Sequence, residues 1–282
     1  VTEWVNGDRL VLARNETYWG QTLGLRQHWA KVTEKVIAKD PTRLAALLSG
    51  EVDAIDLPAI ADLPRLRNDK RFTLTKGAAG LVHYIALDSA RDVSPNVTAI
   101  DGKPLAKNPL KDSRVRKALS LAINRNAIAE RLMEGSAVPA SQLLPLSYPG
   151  TSQKLKPDAF DLAKAQALLK EAGYPNGFES TLWSAYNYTT AQKVIQFVQQ
   201  QLAQVGIKVQ VRALEAGQRV ELVESAQDPA TAPVRMYYVG WSSSTGEADW
   251  AMRPLLASES LPPKMFNTAY YKNPEVDADI AK

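Results

Sequence analysis

The clearest pattern in the chain lies between Thr189 and Ala213. Val194, Val198, Leu202 and Val205 recur at three- and four-residue spacing, Gly206 interrupts, and Ile207, Val209, Val211 and Ala213 then alternate with Lys208, Gln210 and Arg212. The first period predicts a helix and the second a half-buried strand. A helix feeding directly into a strand is α/β construction. The same reading predicts strands at Arg9–Arg14, Thr33–Ala38, Val52–Leu57, Arg71–Thr75, Leu81–Leu87, Phe178–Trp183 and Val234–Gly240. Helices are expected at Asp40–Ser49, from Asp112 through Ala122, over Asn126–Met133, and from Asp161 to Gly173. Asp40, Asp112 and Asp161 are the expected N-caps, and Gly50, Gly135 and Gly173 the stops. A further helix begins near the last residues. Residues 88 to 110 are rich in Pro and Asn and poor in large apolar side chains, so the domain boundary is placed there, with a Pro-rich irregular stretch at 139–157.

With 45% hydrophobic and 23% charged residues among 282, the chain has a globular composition. It has no Cys, which excludes a disulfide framework, a thiolate nucleophile and Cys-based metal centres. A net charge of +4 spread over scattered Lys and Arg is weak ground for nucleic acid. No uninterrupted apolar run reaches membrane-spanning length. The chain opens at Val1-Thr2-Glu3-Trp4 without a leader pattern, so it is expected to be a piece of something longer, with any signal peptide already absent.

Chemistry-bearing constellations are few. His28 and His83 stand far apart and in no metal-ligand spacing, and neither a phosphate-binding loop nor a dinucleotide fingerprint occurs, so no metal and no cofactor is expected. Gly240-Trp241-Ser242 begins like a nucleophile elbow, but position 244 is Ser rather than Gly, which leaves a serine hydrolase acting through Ser242 as the alternative of a different class. Asp228, Glu247 and Asp249 are expected to be solvated loop charges rather than an acid–base pair. Two loops at expected strand ends combine aromatic rings with small polar groups: Trp183-Ser184-Ala185-Tyr186-Asn187-Tyr188 and Trp241-Ser242-Ser243-Ser244-Thr245-Gly246. Small ligands bind at strand ends of open α/β sheets, in pockets with apolar walls and a few hydroxyl and amide groups.

Several collinear segments carry a family resemblance. Gly7-Asp8-Arg9-Leu10-Val11-Leu12-Ala13-Arg14-Asn15 with Tyr18-Trp19-Gly20, Arg43-Leu44-Ala45-Ala46-Leu47 with Ser49-Gly50-Glu51-Val52-Asp53, and Asp112-Ser113-Arg114-Val115-Arg116-Lys117-Ala118-Leu119 with Ala122-Ile123-Asn124-Arg125 resemble, in order, the family 5 extracellular solute-binding proteins of bacterial ABC importers. The resemblance implies a two-lobed, type II-like α/β protein of the periplasm. In that scheme residues 1–88 form part of an incomplete first lobe and 89–282 a nearly complete second lobe. It further implies a monomer that takes up a small peptide, hands it to an inner-membrane permease and performs no catalysis. The loop after Gly240-Trp241, with Pro262-Pro263 and Phe266-Asn267-Thr268-Ala269-Tyr270-Tyr271, looks most like the family's glutathione-binding branch. Di- and oligopeptide binders carry an Asp where this sequence has Ser244, and a buried ammonium needs a charge partner. An ordinary peptide terminus would therefore be poorly held, a γ-linked glutamyl arm is compatible, and dipeptides or nickel chelates stand as alternatives. The expected ligand residues are Tyr186, Asn187, Tyr188, Trp241, Ser242, Ser243 and Ser244, with Tyr84, Glu247 and Asp249 in addition. Arg116 is expected to be structural.

Overall fold

The computed structural model describes residues 1–282 apart from positions 78, 95, 227, 229 and 230. The chain divides into two units, Val1–Thr75 and Lys76–Lys282.

In the first unit, β1 (Glu3–Val5), β2 (Arg9–Ala13) and β3 (Lys31–Lys35) form an antiparallel sheet in that order. The third strand begins two residues earlier than the alternation predicts. Helix α1 (Asp40–Ser49) ends at Gly50, whose φ of +77° is the left-handed turn that glycine permits. Its N-cap is Lys39; Asp40 lies inside the first turn, where its carboxylate binds Arg43 at 2.7 Å. Proline at the second helical position leaves the start at residue 40 and moves the aspartate out of the capping role. A short helix, α2 (Leu63–Asn68), follows. The strands predicted at 52–57 and 71–75 do not form. Val52, Ile55 and Phe72 instead pack on the cluster of Leu44, Leu47 and Leu66, so their apolar spacing serves burial without a ladder partner.

The second unit starts with β4 (Leu81–Leu87), followed by α3 (Ser113–Ala122) and by α4 (Arg125–Ala127), which runs into a π-turn at Ile128–Leu132. Then come α5 (Leu162–Glu171), β5 (Phe178–Ser184), α6 (Thr189–Ala203), β6 (Ile207–Ala213), α7 (Ala216–Arg219) and β7 (Met236–Ser242). Helices α8 (Asp249–Leu256) and α9 (Pro274–Ile280) complete it. Asp112 and Asp161 cap α3 and α5 as expected, accepting from the N–H groups of Arg114 and Lys164.

The sheet order is β4-β7-β5-β6; β5, β6 and β7 are parallel and β4 runs antiparallel to β7. One face carries Ile85, Leu87, Phe178, Leu182, Ile207, Val209, Met236 and Tyr238 and is covered by apolar side chains of α3, α5 and α6. The other carries Ala86, Trp183, Tyr237 and Val239, packed with Leu214, Leu222 and Val223. A sheet covered on both faces, with helices joining parallel strands, is the α/β class the sequence implies. β4 pairs with β7 along seven residues. That ladder is why residues 76–87 belong to the second compact unit, although the composition change lies further on at 88–110.

Strand β7 begins two residues later than predicted because Val234 and Arg235 do other work. Arg235 Nε sits 3.6 Å from the Asp88 carboxylate, which Arg91 Nε approaches at 3.5 Å, and all three side chains are buried. Burial pushes the Asp88 carboxyl up from the ordinary carboxylate range and the Arg91 guanidinium down. Arg235 also donates to the carbonyl of Ala232 and, at 2.9 Å, to Ser94 Oγ. The cluster ties the exit of β4 to the entrance of β7.

Candidate functional site at the sheet end

Strands β5 and β6 end in register at Ser184 and Ala213; β7, parallel to them, passes Tyr238, the partner of Ser184, and runs on to Ser242, which lies opposite Leu81 at the start of the antiparallel β4. The two aromatic and polar loops singled out in the sequence therefore leave the same edge.

The loop after β5 is set by Ser184, whose hydroxyl donates to the Tyr186 carbonyl at 2.8 Å and accepts from the Tyr186 N–H at 3.1 Å. The Tyr186 side chain reaches back across the sheet, where its hydroxyl oxygen accepts from the Gly240 N–H at 3.0 Å. Glycine at 240 leaves room for this approach: a Cβ there would lie 2.9 Å from both the Tyr186 oxygen and Leu81 Cδ1, so one of those side chains would have to move. Around this contact His83 stacks on Tyr238 with ring centroids 5.4 Å apart and meets Tyr186 edge-on at 5.4 Å, while Tyr188 lies 5.4 Å from Tyr186. Burial lowers the His83 pKa below its ordinary 6.5, so the ring is neutral at pH 7, and burial raises the Tyr188 phenol. Asn187 donates to Glu215 at 3.0 Å.

Tyr84 stands in register with Val239, on the opposite face from His83, and burial raises its phenol. It does not join the His83–Tyr186–Tyr188 cluster. Trp241 lies on the Tyr84 face; its Nε1 donates to the Trp250 carbonyl at 2.8 Å, and its ring packs against Phe266. This closes the loop between β7 and α8.

Within that loop the three serines differ. Ser243 is buried, and its hydroxyl accepts from the Glu247 N–H at 3.1 Å and donates to the Glu247 carbonyl at 2.9 Å, so it shapes the loop from inside. Ser242 and Ser244 are exposed. Asp249 is bound to Arg253 at 2.7 Å, one helical turn along α8. Glu247 is exposed, and among the described residues its carboxylate has no ion-pair partner. Arg116 donates to the carbonyls of Leu110 and Lys111 at 3.0 and 2.8 Å, a structural use as expected.

Sequence reasoning passes over two contributors. His83 reads there only as an isolated histidine, and Tyr148 falls in the irregular Pro-rich stretch. A Cβ added at Gly80 would strike the Tyr148 hydroxyl and lie 3.2 Å from Ser242 Oγ, while one at Gly150 would lie 2.6 Å from Ala248 Cβ. That stretch is therefore packed on the same sheet end, and the glycines at 80 and 150 were its sequence trace.

The hydrolase alternative would act through Ser242 and needs a base beside it. Ser242 Oγ has no hydrogen-bond partner among the described residues, and the His83 ring is engaged with two tyrosines rather than with a serine. Among the described residues there is also no group of three or more His, Asp or Glu able to hold a metal ion, and no helix is long and apolar enough to cross a membrane.

The sequence matches the family described as bacterial extracellular solute-binding proteins, family 5 middle, over residues 1–261. The glutathione-binding protein GsiB of Pectobacterium atrosepticum is 43% identical over 279 residues, which cover 99% of this chain and 50% of that protein. Its Escherichia coli K12 counterpart is 42% identical over 280 residues with the same coverage. Among solved structures, the ABC transporter-associated periplasmic binding protein DppA from Helicobacter pylori, in complex with the peptide STSA, superposes with a TM-score of 0.76 at 26% identity. The match covers 99% of this chain and 49% of that one. A dipeptide-binding protein from Pseudoalteromonas, at 23% identity and a TM-score of 0.73, adds support for the fold. The chain spans about half the length of the curated relatives it matches.

Proposed function

The chain belongs to the bacterial extracellular solute-binding proteins of family 5, and from that membership we propose that the protein containing it captures a small peptide, glutathione first among them, for an ABC importer. In this reading it works as a monomer in the periplasm, delivers its ligand to an inner-membrane permease, and binds without catalysis. Residues from Lys76 onward, the second compact unit, contribute to the second of two lobes and residues 1–75 to the first. The observation that carries the proposal is the reach of the loop after β5 onto the last part of β7, Tyr186 to Gly240, just before the second loop leaves that strand, on a chain collinear over 99% of its length with glutathione-binding relatives.

The ligand assignment also agrees with where charge is free. Ser244 offers no carboxylate, Asp249 is held by Arg253, and Glu247 is the exposed acid of the loop. A peptide α-ammonium displaced on a γ-glutamyl arm is therefore matched to Glu247. Tyr186 and Tyr188 supply apolar walls, and Ser242 and Ser244 supply hydroxyl groups. Trp241, Tyr84, Ser243 and Asn187 support the loops through the packing and bonds described above.

The test is thermal unfolding of the full-length protein with glutathione, Ala-Ala and Ala-Ala-Ala at equal concentration. A ligand at about 100 times its Kd stabilises a binder by about 2.7 kcal/mol. Glutathione is expected to raise Tm by several degrees while the simple peptides do not. A shift with the simple peptides alone would refute glutathione, and no shift with any of them would refute peptide capture.

A further inference from the structure

Two hydroxyl groups at the sheet end are left without partners. Tyr148 Oη comes from the irregular stretch before α5 and Ser242 Oγ from the last residue of β7; among the described residues neither makes a hydrogen bond. Both crowd the position that a Cβ on residue 80 would take: the Tyr148 oxygen already fills it, and Ser242 Oγ would lie 3.2 Å from it. The two oxygens are therefore no further apart than the roughly 5.4 Å that two O–H···O bonds of about 2.7 Å can span. They are not bonded to each other, so each O–H is free to donate. Tyr148 is half-buried on a loop that Gly150 holds against Ala248, and Ser242 is exposed, so the pair is fixed on one side and open on the other.

We infer that the Tyr148 and Ser242 hydroxyls, brought close because Gly80 carries no side chain, form a receiving site for a carboxylate oxygen of the bound ligand, with both hydroxyls donating to it. Hydroxyls suit a carboxylate because the bond is charge-assisted and shorter than a neutral one. Glycine at 80 is part of the site, since any larger residue would displace the Tyr148 oxygen. The inference rests on the peptide-capture reading and specifies which residues hold the anionic end.

The experiment is isothermal titration of the full-length protein and its Tyr148→Phe and Ser242→Ala variants with glutathione and with glutathione diethyl ester, which lacks free carboxylates. Tyr148→Phe keeps the ring and its packing, and an unchanged Tm without ligand checks the fold. Each variant is expected to bind glutathione about tenfold more weakly, while the ester is bound within about twofold of the parent. Equal losses for both ligands would overturn the carboxylate assignment, and unchanged glutathione binding would overturn the site itself. If the parent protein binds neither glutathione nor its ester, the glutathione reading fails first and takes the inference with it.

Discussion

Replacing Tyr186 by Phe removes one oxygen and leaves the ring stack with His83 and Tyr188 in place. The Gly240 N–H then loses its acceptor in a half-buried setting, a cost of about 1 kcal/mol. Urea unfolding of the variant is expected to show that loss with an unchanged slope, and a parent-like midpoint would refute the clasp. His83 predicts a pH dependence. Its native pKa is depressed below 6.5, so as pH falls through that value the unfolded chain takes up a proton that the native ring resists. The unfolded state binds more protons in that window, and stability therefore declines as pH drops. Tm measured from about pH 7.5 to 5.5 should fall, and His83→Phe should flatten the part of the slope that His83 supplies. Ser243 and Ser242 teach a different point at this scale. Adjacent in sequence and chemically identical, one is consumed by its own loop and the other stands open. No composition or spacing distinguishes them, because the difference lies in which N–H groups the turn brings near.

The elements that were legible are those in which local chemistry and tertiary burial agree. β4 matches its predicted bounds because its apolar run pairs along its whole length with β7, and α6, Gly206 and β6 follow the change of period because the helix and the strand bury their apolar sides in one core. The predicted strands at 52–57 and 71–75 failed because alternation reports a buried side and cannot report a hydrogen-bonding neighbour. Helix α8 went unread because its first turn, Asp249-Trp250-Ala251-Met252, carries no cap: its N-cap is Ala248, without a side-chain hydrogen bond. Glycine placement yields the sharpest element-scale prediction. A Cβ on Gly177, at φ +75°, would land on the Gly206 carbonyl, so the starts of β5 and β6 depend on two backbones in direct contact. Gly177→Ala should cost at least about 2 kcal/mol. Gly102→Ala, with φ of +79° but open space around it, should cost only the conformational penalty of about 1–2 kcal/mol. Equal losses in thermal unfolding would show that backbone angle alone, and not the strand contact, sets the requirement.

Across the whole molecule, large apolar side chains are distributed unequally. In the second unit Phe178, Leu182, Ile195, Leu202, Ile207 and Met236 are fully enclosed in a core that joins one sheet face to α3, α5 and α6. The first unit buries a cluster centred on Leu44, Leu47 and Leu66, while Trp4, Trp19 and Trp29 stand 75%, 66% and 73% exposed and all of β3 is exposed. Hydrophobic stabilisation follows buried apolar area, so local stability should follow the same division. Backbone amides open independently where few apolar contacts hold them. Hydrogen exchange on this 282-residue chain should therefore find the slowest amides in β5, α6 and β6, and β1 and β3 exchanging orders of magnitude sooner. Uniform protection across both units would mean that the three-stranded sheet is held by something other than its own core. Within the second unit the gradient has a functional direction. The sheet centre is enclosed, whereas the loops after β5 and β7 are held at its end by a few bonds, Ala185 to Tyr238, Tyr186 to Gly240, Asn187 to Glu215 and Trp241 to Trp250. Ligand bound between those loops should slow exchange at residues 185–188 and 242–248 while leaving the amides of α6 and β6 unchanged, because only the loops have freedom left to lose.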